Sequence, residues 1–249
     1  MLSAVALEGL PEIRSGDDLA QLIAGALQGE PLRPGDVLVV AHKVVSKAEG
    51  RLRSLASIEP GARANELAHQ LDKDPRLVQA VLDESSVVLR ATRGVLICIT
   101  LHGLVCANAG VDASNVPGSD TVVLLPRDPD ASARRIRGRL GELAGVAPGV
   151  LITDSFGRAW RHGQVDVAVG CAGVWPLEDW RGRRDSTGRE LRATWIAVAD
   201  QLASAADLAR RKDGRQPVVL VRGAERHVTE DDGPGVAALI RPEAEDLFR

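Results

Sequence analysis

In the stretch Ile152-Thr153-Asp154-Ser155-Phe156-Gly157-Arg158-Ala159-Trp160-Arg161-His162, an acid, a hydroxyl and two arginines follow directly on the apolar run Val150-Leu151-Ile152. The run reads as a strand ending at Thr153. A carboxylate beside a hydroxyl at a strand end suits a hard divalent cation. The planar donor forks of Arg158 and Arg161 suit phosphate or carboxylate oxygens. The same residues also read as a solvated turn with Asp154 capping the next segment, and the stretch alone leaves both readings open.

Three further polar clusters bear on that choice. His42-Lys43-Val44-Val45-Ser46-Lys47-Ala48-Glu49-Gly50-Arg51 comes straight off the apolar run Val37–Val40. Lysines in that position either neutralise phosphate oxygens or face water at a basic strand end. Ala109-Gly110-Val111-Asp112-Ala113-Ser114-Asn115-Val116-Pro117-Gly118 combines acid, hydroxyl and amide in a loop of small residues. It can bring a carboxylate and backbone amides to an ion, or close as an Asx turn stopped by Pro117-Gly118. Asp200, Ser204 and Asp207 recur at i, i+4 and i+7 and form one polar helix stripe. That stripe either faces solvent, with Asp207 pairing to Arg211, or turns inward toward a cation or an amine. Two acids, a hydroxyl, two lysines and two arginines together suit metal-assisted chemistry on a phosphorylated substrate.

These groups must be positioned by apolar β-branched runs that alternate with helical patterns. Strands are expected at Asp36–Val45, Ser86–Ala91, Val95–Thr100, Gly103–Ala107, Thr121–Leu125, Val150–Thr153, Asp166–Gly173 and Pro217–Arg222. Helices are expected at Asp17–Leu27, Ala62–Leu71, Pro75–Leu82, Ala131–Leu143 and Glu190–Arg211, with Asp130 as an N-cap and Gly145 as a stop. Ser86 to Ala107 reads as a hairpin turning at Arg93-Gly94. Consecutive strands fit a doubly wound sheet poorly, so the expected class is α+β. The acidic loop Thr229–Gly235 reads as mobile.

At 249 residues, 45% hydrophobic and 26% charged, the chain has the composition of an ordinary globular protein with ample core. A net charge of -3 without basic blocks gives no reason to expect a nucleic-acid or membrane partner. Tyr is absent and Phe occurs twice, which disfavours a base-stacking platform. Three cysteines without CxxC spacing point to reduced thiols in the cytoplasm, and no secretory signal or membrane-spanning run is evident. The phosphate loop GxxxxGK[ST], a strand-linked GxGxxG, HExxH and GxSxG are all missing.

Several segments resemble the coenzyme F420-0:L-glutamate ligase family: Gly9-Leu10-Pro11-Glu12-Ile13, the Lys43–Arg51 run, Cys106–Val116 and Leu125-Pro126-Arg127-Asp128-Pro129-Asp130-Ala131-Ser132-Ala133. So do the Asp154 motif and Leu239-Ile240-Arg241-Pro242. They run in family order from about Gly9 to the C-terminus. The resemblance implies a mixed α/β ligase fold forming an intertwined homodimer. It implies one ligase domain over residues 1–249, with room for two subdomains and without the nitroreductase-like domain of some members. The implied activity is GTP-dependent addition of L-glutamate to F420-0, then γ-linked extension, aided by two divalent cations (Mn or Mg) and a monovalent ion such as potassium.

Carried over residue by residue, the resemblance places Leu10, Pro11, Glu12 and Ile13 against the guanine nucleotide, with His42, Lys47 and Asn115 as further nucleotide contacts. His42 stands where a small hydroxyl residue is expected. Asp112 and Asp154 are implied ligands of one metal and Ser155 of the second, Ser155 standing where Thr is common. Asp200-Gln201 stands where Asp-Glu is frequent, and Asp207 where Glu is frequent. The expected mechanism is an acyl-phosphate route in which Lys47 and Asp154 serve the triphosphate. Arg158 and Arg161 then serve the anionic acceptor or the incoming glutamate, with His162 behind them. Two other readings stay open: a GTP-binding regulatory protein without catalysis, and a ligase for another phosphorylated carboxylate.

Overall fold

The computed structural model describes residues 1–27, 29–114, 118 and 120–246. In chain order these form β1 (Ser3–Ala6), α1 (Leu19–Ala26), β2 (Val37–Ala41), α2 (His42–Ala48), β3 (Leu52–Ser54), α3 (Ala62–Leu71) and α4 (Pro75–Asp83). There follow β4 (Ser85–Thr92), β5 (Val95–Thr100), β6 (Val105–Ala107), β7 (Thr121–Val123), α5 (Pro129–Ala144), β8 (Gly149–Arg158) and β9 (Arg161–Ala172). The last elements are β10 (Glu178–Asp179), β11 (Trp195–Ile196), α6 (Val198–Ala209) and β12 (Val218–Arg222). The fold is a mixed arrangement of helices and sheets, as expected.

A five-stranded sheet in the order β1-β12-β2-β8-β9 forms the centre. The β2–β8 pair is parallel and the other pairs are antiparallel. Val37–Val40, Val150–Ile152 and Val218–Val221 are buried in it, the near-continuous apolar pattern of strands covered on both faces. Helices α1, α5 and α6 contribute Ile23, Leu140 and Leu202 to the same core. A second core gathers Leu67 of α3, Val78 and Val81 of α4, Leu96 of β5 and Val122 of β7. Arg51 bridges toward it, donating to the Leu125 carbonyl and to Glu84. No helix among the described residues is long and apolar enough to cross a membrane.

Several expected boundaries move, each for an identifiable reason. The strand expected over Asp36–Val45 stops at Ala41 and turns directly into α2, because His42, Val45 and Ser46 meet the core at helical rather than alternating spacing. The strand expected to end at Thr153 runs on to Arg158, since β9 supplies a pairing partner through Arg161. The helix expected over Glu190–Arg211 begins only at Val198, because Trp195-Ile196 pairs with Glu178-Asp179. Asp128, not Asp130, caps α5 by accepting from the Ala131 N–H. Asp130 instead accepts from Cys171 and Val236 N–H groups and ties β9 to the C-terminal segment. The loop read as mobile is anchored, with Arg137 donating to the Thr229 and Glu230 carbonyls and pairing with Asp232.

One turn sets the approach to Asp112. Asn108, Ala109 and Gly110 all have positive φ, 51°, 52° and 72°, a costly sequence for residues with a Cβ. Asp112 emerges from it to pair with Val123. A Cβ on Gly110 would lie 2.7 Å from the Leu125 side chain. Gly110→Ala is therefore expected to lower stability by about 1–3 kcal/mol, read as a lower urea midpoint with an unchanged m-value.

Candidate functional site

The start of α2 gathers the first constellation. Its first two residues each face an acid from elsewhere in the chain. His42 Nε2 lies 3.4 Å from Asp154 Oδ1, and Lys43 Nζ lies 2.6 Å from Asp112 Oδ2. Lys43 also meets Ser114 Oγ at 2.6 Å, while Ser114 N–H and hydroxyl donate to the Asp112 carboxylate. One helical turn on, Lys47 is buried along its stem and bonds Glu12 Oε1 at 2.6 Å. Ile13 is buried in the main core and Leu10 packs against it, which fixes the segment carrying Glu12 beside α2. Burial alone would raise the Asp112 pKa, but the Lys43 and Ser114 hydrogen bonds outweigh it and hold the carboxyl below its ordinary value.

Strand alternation separates Asp154 from its neighbour. Side chains at successive strand positions point to opposite faces. Asp154 faces α2, whereas Thr153 and Ser155 face Asp166 of β9. This second constellation is one the sequence reading missed. Asp166 is 1% exposed, accepts from Ser155 Oγ at 2.6 Å and Thr153 Oγ1 at 3.1 Å, and pairs with Arg210. Lys212 Nζ lies 2.8 Å from Ser155 Oγ, 3.0 Å from Asp207 Oδ1 and 3.6 Å from Asp166 Oδ1. The α6 stripe turns toward this network. Ser204 donates to the Asp166 carbonyl and Asp200 accepts from the Ala168 N–H. Burial raises the Asp200 pKa. The expected Asp207–Arg211 pair is replaced by contacts from Asp207 to Arg210 and Lys212, and Arg211 turns to Asp213.

The remaining expected residues lie elsewhere or beyond description. Arg158 and Arg161 pair across the exposed end of the β8–β9 hairpin, beside Trp160 at 81% exposure. Arg158 donates to the His162 and Gly163 carbonyls. Among the described residues, neither arginine is ion-paired. Asn115 lies outside the described residues.

Among the described residues no three His, Cys, Asp or Glu side chains form a metal cage. That is not required of a Mg or Mn site that works with a nucleotide, which takes one or two carboxylates and completes its shell with phosphate oxygens and water. Asp112 and Asp154 offer hard oxygen donors of the right kind. The buried His42 Nε2, which has no hydrogen-bond partner among the described residues, faces the Asp154 carboxylate.

The model of the family described as F420-0:Gamma-glutamyl ligase matches residues 9–223. The chain belongs to this family. It is 45% identical to the coenzyme F420:L-glutamate ligase of Methanothermobacter thermautotrophicus and 47% identical to that of Methanopyrus kandleri. Each match spans 100% of this chain and 99% of the relative. The protein of the same name from Archaeoglobus fulgidus is 45% identical over 98% of this chain and 94% of its own. Family membership accords with the resemblance read from the motifs.

Asp166 offers a direct test of the second network. Burial opposes its charge, but hydrogen bonds from Ser155 and the Arg210 and Lys212 charges prevail and lower its pKa from 3.8. A depressed carboxylate contributes stability that is fully present above the unfolded pKa and lost as pH falls through the folded one. Asp166→Asn is expected to cost about 3–5 kcal/mol at neutral pH, the scale for breaking a buried charge pair. The deficit should shrink as pH falls from about 4 downward, measured by urea unfolding across that range.

Proposed function

We propose that this protein is a GTP-dependent ligase that joins the lactyl carboxylate of F420-0 to the amino group of L-glutamate and then extends the product through γ-linked glutamates. The observation that carries the reading is the convergence of two lysines and three acids, Glu12, Asp112 and Asp154, on α2, in a chain matching coenzyme F420:L-glutamate ligases along nearly their whole length. A carboxylate is a poor acylating agent until its oxygen is phosphorylated. In the proposed route that oxygen attacks the γ-phosphorus and GDP leaves. The glutamate nitrogen then attacks the acyl carbon, phosphate departs and the nitrogen gives up a proton.

Lys47 and Lys43 supply positive charge to the triphosphate, where electrostatic stabilisation does most of the work in phosphoryl transfer. Each now holds a carboxylate, Glu12 or Asp112, that a phosphate oxygen would compete with. Leu10–Ile13 and His42 border the nucleotide side of this cluster, with Asn115 assigned to the same side by family resemblance. Asp112 and Asp154 would hold one divalent cation, Mn or Mg, and Ser155 on the other face of β8 a second; such ions neutralise developing phosphate charge. Arg158 and Arg161, exposed and without carboxylate partners among the described residues, serve the anionic acceptor or the glutamate. The two cores act as subdomains of one ligase domain, and two chains assemble as an intertwined homodimer, with potassium as a further stimulating ion.

Incubating the purified protein with F420-0, L-glutamate, GTP and manganese should yield products heavier by one or more glutamyl residues, followed by mass spectrometry with GDP release. Asp154→Asn is expected to lower the rate by about 100-fold or more, the scale for removing one stabiliser of a charged transition state. GTP binding without turnover would instead favour a regulatory role, and turnover only with another acceptor would redirect the substrate assignment.

A further inference from the structure

We propose that His42 is a nitrogen ligand of the divalent cation held at Asp154, so that this chain's site is a mixed nitrogen–oxygen one suited to manganese and other first-row transition ions above magnesium. The inference rests on the reading that Asp154 binds a cation. His42 is 1% exposed, and its Nε2 makes no hydrogen bond within the described structure. Leaving a buried polar nitrogen unpaired costs about 1–3 kcal/mol, so such an atom calls for a partner.

The carboxylate opposite does not serve as that partner by itself. The 3.4 Å between Nε2 and Asp154 Oδ1 is longer than an N–H···O bond and far longer than a charge-assisted one. It is, however, an ordinary separation for two ligands of one ion. An ion taken up between them would give both atoms a partner at that spacing. The other ring nitrogen, Nδ1, lies 3.5 Å from Ser46 Oγ one helical turn away. That contact is as long as the one to Asp154 and is no firmer a hydrogen bond, but the tautomer with its proton on Nδ1, on the side of that hydroxyl, leaves the Nε2 lone pair free for an ion. Imidazole suits transition ions, whereas magnesium prefers oxygen and water.

The test uses full-length protein labelled with 15N-histidine, loaded with Mn(II) and GDP, and read by pulsed EPR alongside a manganese titration. Wild type should show 15N coupling to the bound ion. His42→Ser should lose that coupling and bind manganese about 10–100-fold more weakly, with magnesium affinity little changed. Asp154→Asn should weaken binding of both ions. A folded wild type that binds manganese without histidine coupling overturns the proposal, even where the serine variant does not fold. Coupling that persists in His42→Ser also overturns it. In either case weakened binding in Asp154→Asn leaves the Asp154 reading standing, whereas unaltered binding there removes both.

Discussion

A β-strand sends consecutive side chains to opposite faces, and in this protein the strand so constrained, β8, carries Thr153, Asp154 and Ser155 through the sheet between β2 and β9. Asp154 therefore faces His42 of α2, while its two neighbours belong to the Asp166 network beside α6. The parallel β2–β8 pairing sets Ala41 beside Thr153. The immediate turn into α2 then brings His42 to Asp154 and Lys43 to Asp112. A one-residue slip of β8 would exchange the faces and dismantle both constellations at once.

The two constellations are built on different energetic terms. Beside α2 the charges are partly accessible, and Lys47 holds an exposed Glu12, a contact worth little to stability and open to exchange for a phosphate oxygen. Beside α6 the Asp166 carboxylate is enclosed by two hydroxyls and two cationic side chains. Such a network stabilises only when complete, because each missing partner leaves a buried charge uncompensated. The same strand thus carries partly accessible ion pairs on one face and an enclosed charge network on the other.

How far this was legible in the sequence depended on the kind of signal. Val95–Thr100, Ala62–Leu71 and the Arg93-Gly94 turn were readable because apolar spacing and turn residues agree locally. Helix α2 was not, because Val44-Val45 continues an apolar β-branched run and only tertiary burial of His42 and Ser46 reveals the helical face. The acids 112 and 154 and the lysines 43 and 47 were recognisable by type, but which base meets which acid depends on the register of β2 with β8. Asp166 was overlooked, although a lone acid inside the apolar alternation of Val165–Ala172 is itself a signal that a buried cation must be nearby. The inward turn of the α6 stripe was one of two readings the sequence left open, and only the contacts of Asp200 and Ser204 with β9 decide between them.

The central claim is that Asp154 holds a cation on the α2 face of β8. Crystals grown with manganese and a non-hydrolysable GTP analogue, measured at the manganese absorption edge, test it most directly. The account predicts an anomalous peak at coordination distance from the Asp154 carboxylate, on the side of His42. Manganese found only on the α6 side, with Asp154 unligated, would contradict it.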